Sequence, residues 1–317
     1  MNELSPHVLV SLTGGLGNQL FQMSAGLALA NGESLGVVAH LAKHRMAADG
    51  QAELFDFILP EAVIKIDRKE STWLPKKVTA YLLRMGVQPR SFEKLPVAEK
   101  AITSVANVIL SFEFSRRIRA TFSKGVGYWE GLSGQRGSLA IGYFQSYQWA
   151  SRTDIREKLD GLYIKNESPK FGELRDLAER EQPLVVHVRL GDYLLESDFG
   201  VPSKEYYANA ISNQMSTGAY KAIWAFSDDE MKARDYLPAE FSHLIRWNPE
   251  VDRSSVGTLQ AMRLGKGYVI GNSSFSWWGA FLSFNKDAEV IAPSPWFKGM
   301  ESPRELIPPS WKQMQAW

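Results

Sequence analysis

Two short segments carry residue types suited to gripping an anionic ligand: His187-Val188-Arg189-Leu190-Gly191-Asp192-Tyr193 and Asn272-Ser273-Ser274-Phe275-Ser276-Trp277-Trp278-Gly279. A guanidinium such as that of Arg189 is a fixed fork of donors that matches phosphate oxygens. Ser273 and Ser274 at a helix start bring hydroxyls and free backbone N–H groups, where the helix dipole favours negative charge. A third segment, Ser227-Asp228-Asp229, adds carboxylates able to accept from ribose hydroxyls or a base amine, and His187 can donate or accept. This is the chemistry that a nucleotide diphosphate requires.

The elements around these residues decide whether they meet. Leu184 to Val188 reads as a buried strand, a helix follows near Lys204 to Gln214, and Ala222 to Phe226 is the next strand. A helix from Ser254 to about Leu264 leads to the strand Tyr268-Val269-Ile270, Asn272-Ser273-Ser274 opens a helix through Phe281, and Glu289 to Ala292 is one more strand. Such alternation predicts a parallel, doubly wound sheet, with all three polar loops at its carboxyl edge, where open α/β folds bind ligands. Each residue alone has an ordinary explanation: a structural histidine, an Arg–Asp ion pair, a helix-capping serine, tryptophans in a core. The coincidence of three such loops on one edge is what points to a site.

In the first half, Val8 to Leu12 reads as a buried strand, Thr13-Gly14-Gly15-Leu16-Gly17 as a tight turn, and Asn18 as the cap of a helix to about Asn31. Gly15 and Gly17 would let a ligand approach closely, and the helix start would welcome an anion. The turn is not a dinucleotide fingerprint, because the third small residue and an acidic end to the second strand are both missing. No nicotinamide or flavin cofactor is expected. Leu139 to Ser146 reads as a strand ending in polar residues, from which Tyr143 and Gln145 could line a sugar site or simply pack in a core. Trp278 joins them as an acceptor-side candidate.

The 317 residues exceed what one core usually serves, and the charged stretch from Ser151 to Pro183 is the expected junction, giving domains 1–150 and 151–317. A net charge of +1 argues against a nucleic-acid partner. The charge is uneven: residues 68–124 hold twelve Lys or Arg against four Glu, net +8. With Trp73, Tyr81 and Phe92 among them, that stretch has the composition to rest on an anionic membrane, or to form a solvated helical face. There is no cysteine, no apolar run long enough to span a bilayer and no signal peptide before the first strand, so the expected location is cytoplasmic, at most peripheral on the inner face of the membrane. No Asp-x-Asp, His-Glu-x-x-His or Walker sequence is found, and no metal is expected.

Five segments in order, Gly14 to Gln22, Gly142 to Ser146, His187 to Tyr193, Phe226 to Asp229 and Asn272 to Ala280, resemble the successive motifs of glycosyltransferase family 11. The resemblance implies two Rossmann-like domains facing a cleft (GT-B type), an acceptor-side first domain and a GDP-fucose-binding second domain. It implies inverting, metal-independent transfer of L-fucose from GDP-β-L-fucose to the 2-hydroxyl of a terminal galactose, on an oligosaccharide or lipid-linked glycan of bacterial surface polysaccharide. Carried over by position, His187 helps hold guanosine, Arg189 grips the β-phosphate, Asn272 and Ser273-Ser274-Phe275-Ser276 complete the phosphate cradle, and Asp228 or Asp229 holds guanine or ribose. Asn18 with Gly15 and Gly17 faces the donor from the first domain, Arg189 is the leading catalytic residue, and Asp192 is a base or an orienter. One position departs: many relatives have a second arginine where this chain has Leu190. Competing readings are the same architecture with another donor or acceptor, and a glycan-binding module without catalysis.

Overall fold

The computed structural model describes residues 7–39, 51–66, 96–98, 100–102, 104–105, 119–122, 126–128, 138–194, 198–216, 220–249, 252–303 and 305–317. Most of the basic 68–124 stretch lies outside the described residues. The chain divides into two compact units, Met1–Tyr163 with Pro303–Leu306, and Ile164–Ser302 with Ile307–Trp317. The division falls beyond the expected 150/151 because the helices after Ser146 belong to the first unit.

The first unit is built on strand β1 (Val8–Leu12), five residues all buried, which the β-branched and leucine content of Val-Leu-Val-Ser-Leu favours. Helix α1 (Leu16–Ala30) follows, then β2 (Leu35–Ala39), β3 (Val63–Ile66), β4 (Arg119–Phe122) and β5 (Ser138–Ile141). These strands form one parallel sheet in the order β3-β2-β1-β5-β4. Helices α2 (Tyr147–Ala150) and α3 (Thr153–Asp160) complete the unit. Ile155 and Leu159 of α3 are buried, and the Arg152 guanidinium donates to the Ala28 carbonyl of α1 at 3.1 Å, which ties the segment past residue 150 to the first core.

In the second unit α4 (Phe171–Glu181) precedes β6 (Leu184–Val188), α5 (Lys204–Met215), β7 (Ile223–Ser227), α6 (Glu230–Ala233) and β8 (Ile245–Trp247). Then come α7 (Ser255–Met262), β9 (Gly267–Val269), α8 (Ser274–Phe281), β10 (Glu289–Ser294) and β11 (Lys312–Gln315). All six strands are parallel, in the order β8-β7-β6-β9-β10-β11. The core lies between this sheet and α5, with Val186, Val188, Tyr206, Tyr207, Ile211 and Ile223 fully or almost fully buried. Two parallel α/β sheets, each in its own unit, meet the α/β, Rossmann-like expectation.

Strand order matters for function because it locates the switch point, the crevice where neighbouring strands lead off in opposite directions. In the second unit that point lies between β6 and β9, and in the first β1 and β5 are neighbours. The loops after β6 and β9 are the arginine and serine segments; those after β1 and β5 are the glycine turn and the Tyr143–Gln145 segment. Four of the five sequence motifs therefore follow two pairs of neighbouring strands, and two of them flank the switch point.

Candidate active site

At the switch point of the second unit β6 delivers His187 and, just past its end, Arg189. His187 is 6% exposed, its ring lies 6.0 Å from that of Phe275 between centroids, and its Nδ1 is buried without a hydrogen-bond partner. Burial, and then the neighbouring Arg189 charge, pull its pKa down to about 4, with Asp228 opposing. The imidazole is thus neutral at physiological pH and suited to an uncharged hydrogen bond. Its main-chain carbonyl accepts from the Tyr207 hydroxyl of α5 at 3.2 Å. That support is not legible in the sequence, which places Tyr207 only within the helix expected near Lys204 to Gln214.

Arg189 stands partly open, 28% exposed, with Nη1 3.1 Å from Asp228 Oδ2 and its guanidinium carbon 5.9 Å from the centre of the Tyr193 ring. Leu190 is 1% exposed and belongs to the core of the unit. The position where the resemblance implies a second arginine is occupied here by a core leucine. Asp192 begins a single helical turn, Asp192–Leu194, whose last amide donates to the Leu190 carbonyl at 3.0 Å.

Asp228 and Asp229 follow β7 on the neighbouring side. Asp228 Oδ1 accepts the Leu190 N–H at 3.0 Å, so both its oxygens are engaged within the protein. Asp229 caps α6 by accepting from the Lys232 N–H at 3.2 Å, and its other oxygen lies 2.8 Å from Lys232 Nζ. Those contacts hold its carboxyl below the usual range. Asn248, just past β8, adopts φ +42° and accepts the Ser227 N–H on its side chain at 3.1 Å, which pins the turn into this loop. Its type alone would not have singled it out.

Across the switch point, Ser273 caps α8, its hydroxyl accepting the Phe275 N–H at 3.3 Å, with Ser274 half-buried in the first turn. Asn272 turns its amide nitrogen to the carbonyls of Phe199 and Gly200 at 2.9 and 3.0 Å, while its Oδ1 is buried without a partner. Two expectations fail here. The Ser276 hydroxyl is buried and donates back toward the Gly271 and Ser273 carbonyls, as a mid-helix serine does, so it offers nothing to a phosphate. Trp278 is 0% exposed, packed edge-on against Trp277 and Phe281, and has no open face on which a sugar could stack.

The first unit presents a different surface. Gly15, not Asn18, is the N-cap residue of α1, and Gly14 takes φ +73°, a conformation few side chains tolerate. A Cβ on Gly14 would lie 2.5 Å from Asn18 Nδ2, so the amide packs directly over the glycine. Asn18 Oδ1 accepts from Gln145 Nε2 at 2.8 Å, which links the loops after β1 and β5. Gln22 holds the same turn by accepting the Thr13 N–H at 2.9 Å and donating to the Thr13 hydroxyl and the Gly142 carbonyl. Phe144, buried beside Tyr143 and Gln145, adopts φ +51°, a strained setting for an aromatic residue.

The start of α1 is not open to an anion. The Glu53 carboxylate already accepts the Leu16 N–H at 2.9 Å, and Gln19 bridges the Gly14 carbonyl and the Leu54 amide. A second negative group there would meet like charge. The polar surface of Asn18, Tyr143 and Gln145 suits hydroxyls, whereas Arg189 and the α8 start suit phosphate. Among the described residues no cluster of His, Asp and Glu could hold a metal ion, and no helix is long and apolar enough to cross a membrane.

Comparison with known proteins identifies relatives among glycosyltransferases. Glycosyl transferase family 11 matches residues 141–312, more than half of the chain. An alpha-1,2-colitosyltransferase of Escherichia coli is 25% identical over 305 residues, 93% of each chain. The O-antigen biosynthesis glycosyltransferase WbnK of Escherichia coli is 31% identical over 139 residues, 43% of this chain and 45% of that one. Among solved structures, fucosyltransferase NodZ from Bradyrhizobium aligns with a TM-score of 0.46 at 12% identity, covering 86% of this chain and 92% of that one. POFUT1 in complex with GDP-fucose aligns at 0.44 and 13% identity, covering 91% and 97%. The arginine, aspartate and serine loops of the second sheet all fall within the matched span, and the chain belongs to glycosyltransferase family 11.

Proposed function

We propose that this family 11 glycosyltransferase moves L-fucose from GDP-β-L-fucose to the 2-hydroxyl of a terminal galactose, with inversion and without a metal, in the assembly of a surface polysaccharide such as O-antigen. The observation that carries this reading is that Arg189 and the α8 start flank the switch point of the second unit. The neutral, partnerless Nδ1 of His187 beside them adds a hydrogen-bonding group suited to the uncharged part of a nucleotide.

As the glycosidic bond breaks, the sugar gains oxocarbenium character and negative charge moves onto the leaving β-phosphate. A fixed guanidinium and helix N–H groups aimed at that phosphate stabilise this state more than the ground state, which is where rate is gained. Asn18 and Gln145 offer amides to acceptor hydroxyls. Asp192 takes the acceptor proton, or the departing phosphate does so late in the reaction.

A second donor has specific support. The relative that covers 93% of this chain transfers colitose with the same linkage, and colitose is L-fucose lacking its 3-hydroxyl. Purified protein incubated with lactose, EDTA and either GDP-fucose or GDP-colitose, with product mass and linkage determined, separates the two. A 2-linked fucosyl product supports the first donor, and turnover of GDP-colitose alone transfers the reading to the second. Glycan binding with no turnover of either donor, unchanged in Arg189→Ala, would favour the binding-module alternative.

A further inference from the structure

Asp228 makes two contacts that bear on one neighbour. Its Oδ1 accepts the Leu190 main-chain N–H at 3.0 Å, and its Oδ2 lies 3.1 Å from Arg189 Nη1. One carboxylate at the end of β7 thus holds the backbone after Arg189 and the Arg189 side chain together, across two paired strands. Gly191 belongs to the same device: a Cβ there would lie 2.3 Å from Asp228 Oδ2, so a side chain would push the carboxylate away. Leu190, anchored in the core, fixes the loop from beneath.

An arginine side chain has several rotatable bonds and loses much freedom when it grips a phosphate. Holding it in place before the ligand arrives reduces that loss. We propose that Asp228 is a positioning residue, whose carboxylate, given room by Gly191, sets the Arg189 guanidinium for an anionic leaving group and does not itself touch the donor. The effect on turnover rests on the donor reading above; the hold on Arg189 does not.

The first test needs no donor. Phenylglyoxal adds to guanidinium groups, and peptide mass mapping of the full-length protein gives the labelling rate at Arg189. Asp228→Asn keeps an oxygen for the Leu190 N–H and loses the charge, so Arg189 should label several-fold faster. Arg246, ion-paired with Glu181 elsewhere in the unit, should label at the parent's rate. Should that variant fold poorly, Gly191→Ala alters no charge and displaces the same carboxylate. Arg189 labelling that stays at the parent's rate overturns the proposal.

The second test is GDP binding by calorimetry. Asp228→Asn and Arg189→Ala should each weaken binding by about tenfold. Added to Arg189→Ala, Asp228→Asn should cause no further loss, or a recovery, because it removes an anion left beside the diphosphate. Losses that multiply would mean that Asp228 touches the donor itself, and would overturn the proposal. A parent that binds no GDP defeats the donor reading instead, and the labelling result still judges the positioning role.

Discussion

Removing the Arg189 guanidinium should cost far more in turnover than in folding. The side chain is 28% exposed, so an effective dielectric of about 20 is appropriate, and a unit charge about 4 Å from a phosphate charge is then worth about 4 kcal/mol. Part of that attraction already exists in the bound donor; only the charge that develops as the bond breaks reaches kcat. Arg189→Ala should therefore lower kcat/KM by about 10²- to 10³-fold, equivalent to about 2.7–4 kcal/mol, with the loss divided between KM and kcat. Arg189→Lys keeps the charge but loses the fork, and should fall between. The assay is initial-rate nucleotide release with the donor varied at saturating acceptor, with Tm measured on each variant. A folded Arg189→Ala within threefold of the parent in kcat/KM would refute the electrostatic argument.

His187 makes stability depend on pH. Its pKa is about 4 in the folded protein and near 6.5 when unfolded, so between these values the unfolded chain binds more protons. Stability should be fully present above about pH 6.5 and fall as pH drops toward 4, by up to about 3 kcal/mol; urea midpoints against pH should show this slope in the parent and a shallower one in His187→Asn. Ser273→Ala should remove the α8 cap and cost about 1 kcal/mol by urea denaturation, and weakened GDP binding should accompany it. Trp278→Phe should lower Tm and leave KM for the galactoside unchanged; a selective rise in that KM would return Trp278 to the acceptor side.

Much of the second unit was legible because its strands are short apolar runs and its helices begin at capping residues. Ser203, Ser254 and Ser273 each cap a helix close to where the pattern predicted one. Of the site residues expected from the sequence, His187, Arg189, Asn272, Ser273 and Ser274 lie at strand ends and a helix start, which local pattern reveals. The misreadings share one cause. Asn18, Ser276 and Trp278 have the right chemical types, but whether a hydroxyl is already bonded or a ring already covered depends on neighbours distant in sequence. Glu53 at the start of α1 is the clearest case, since nothing near the glycine turn announces a carboxylate from 37 residues away.

By itself, the sequence determined the element types, the α/β class and a set of polar loops whose chemistry fits a sugar nucleotide, because hydrophobic period and capping are local properties of a chain. Only the tertiary structure decided that β6 neighbours β9, which makes a switch point out of two separate loops, and that β1 neighbours β5, which brings the glycine turn beside the Tyr143–Gln145 segment. It also decided which polar groups remain free: the His187 ring at the edge of a buried strand, as against Asp228, drawn into the service of Arg189. Strand adjacency in a parallel sheet is set by crossover connections and shared core packing, and those involve residues far apart along the chain.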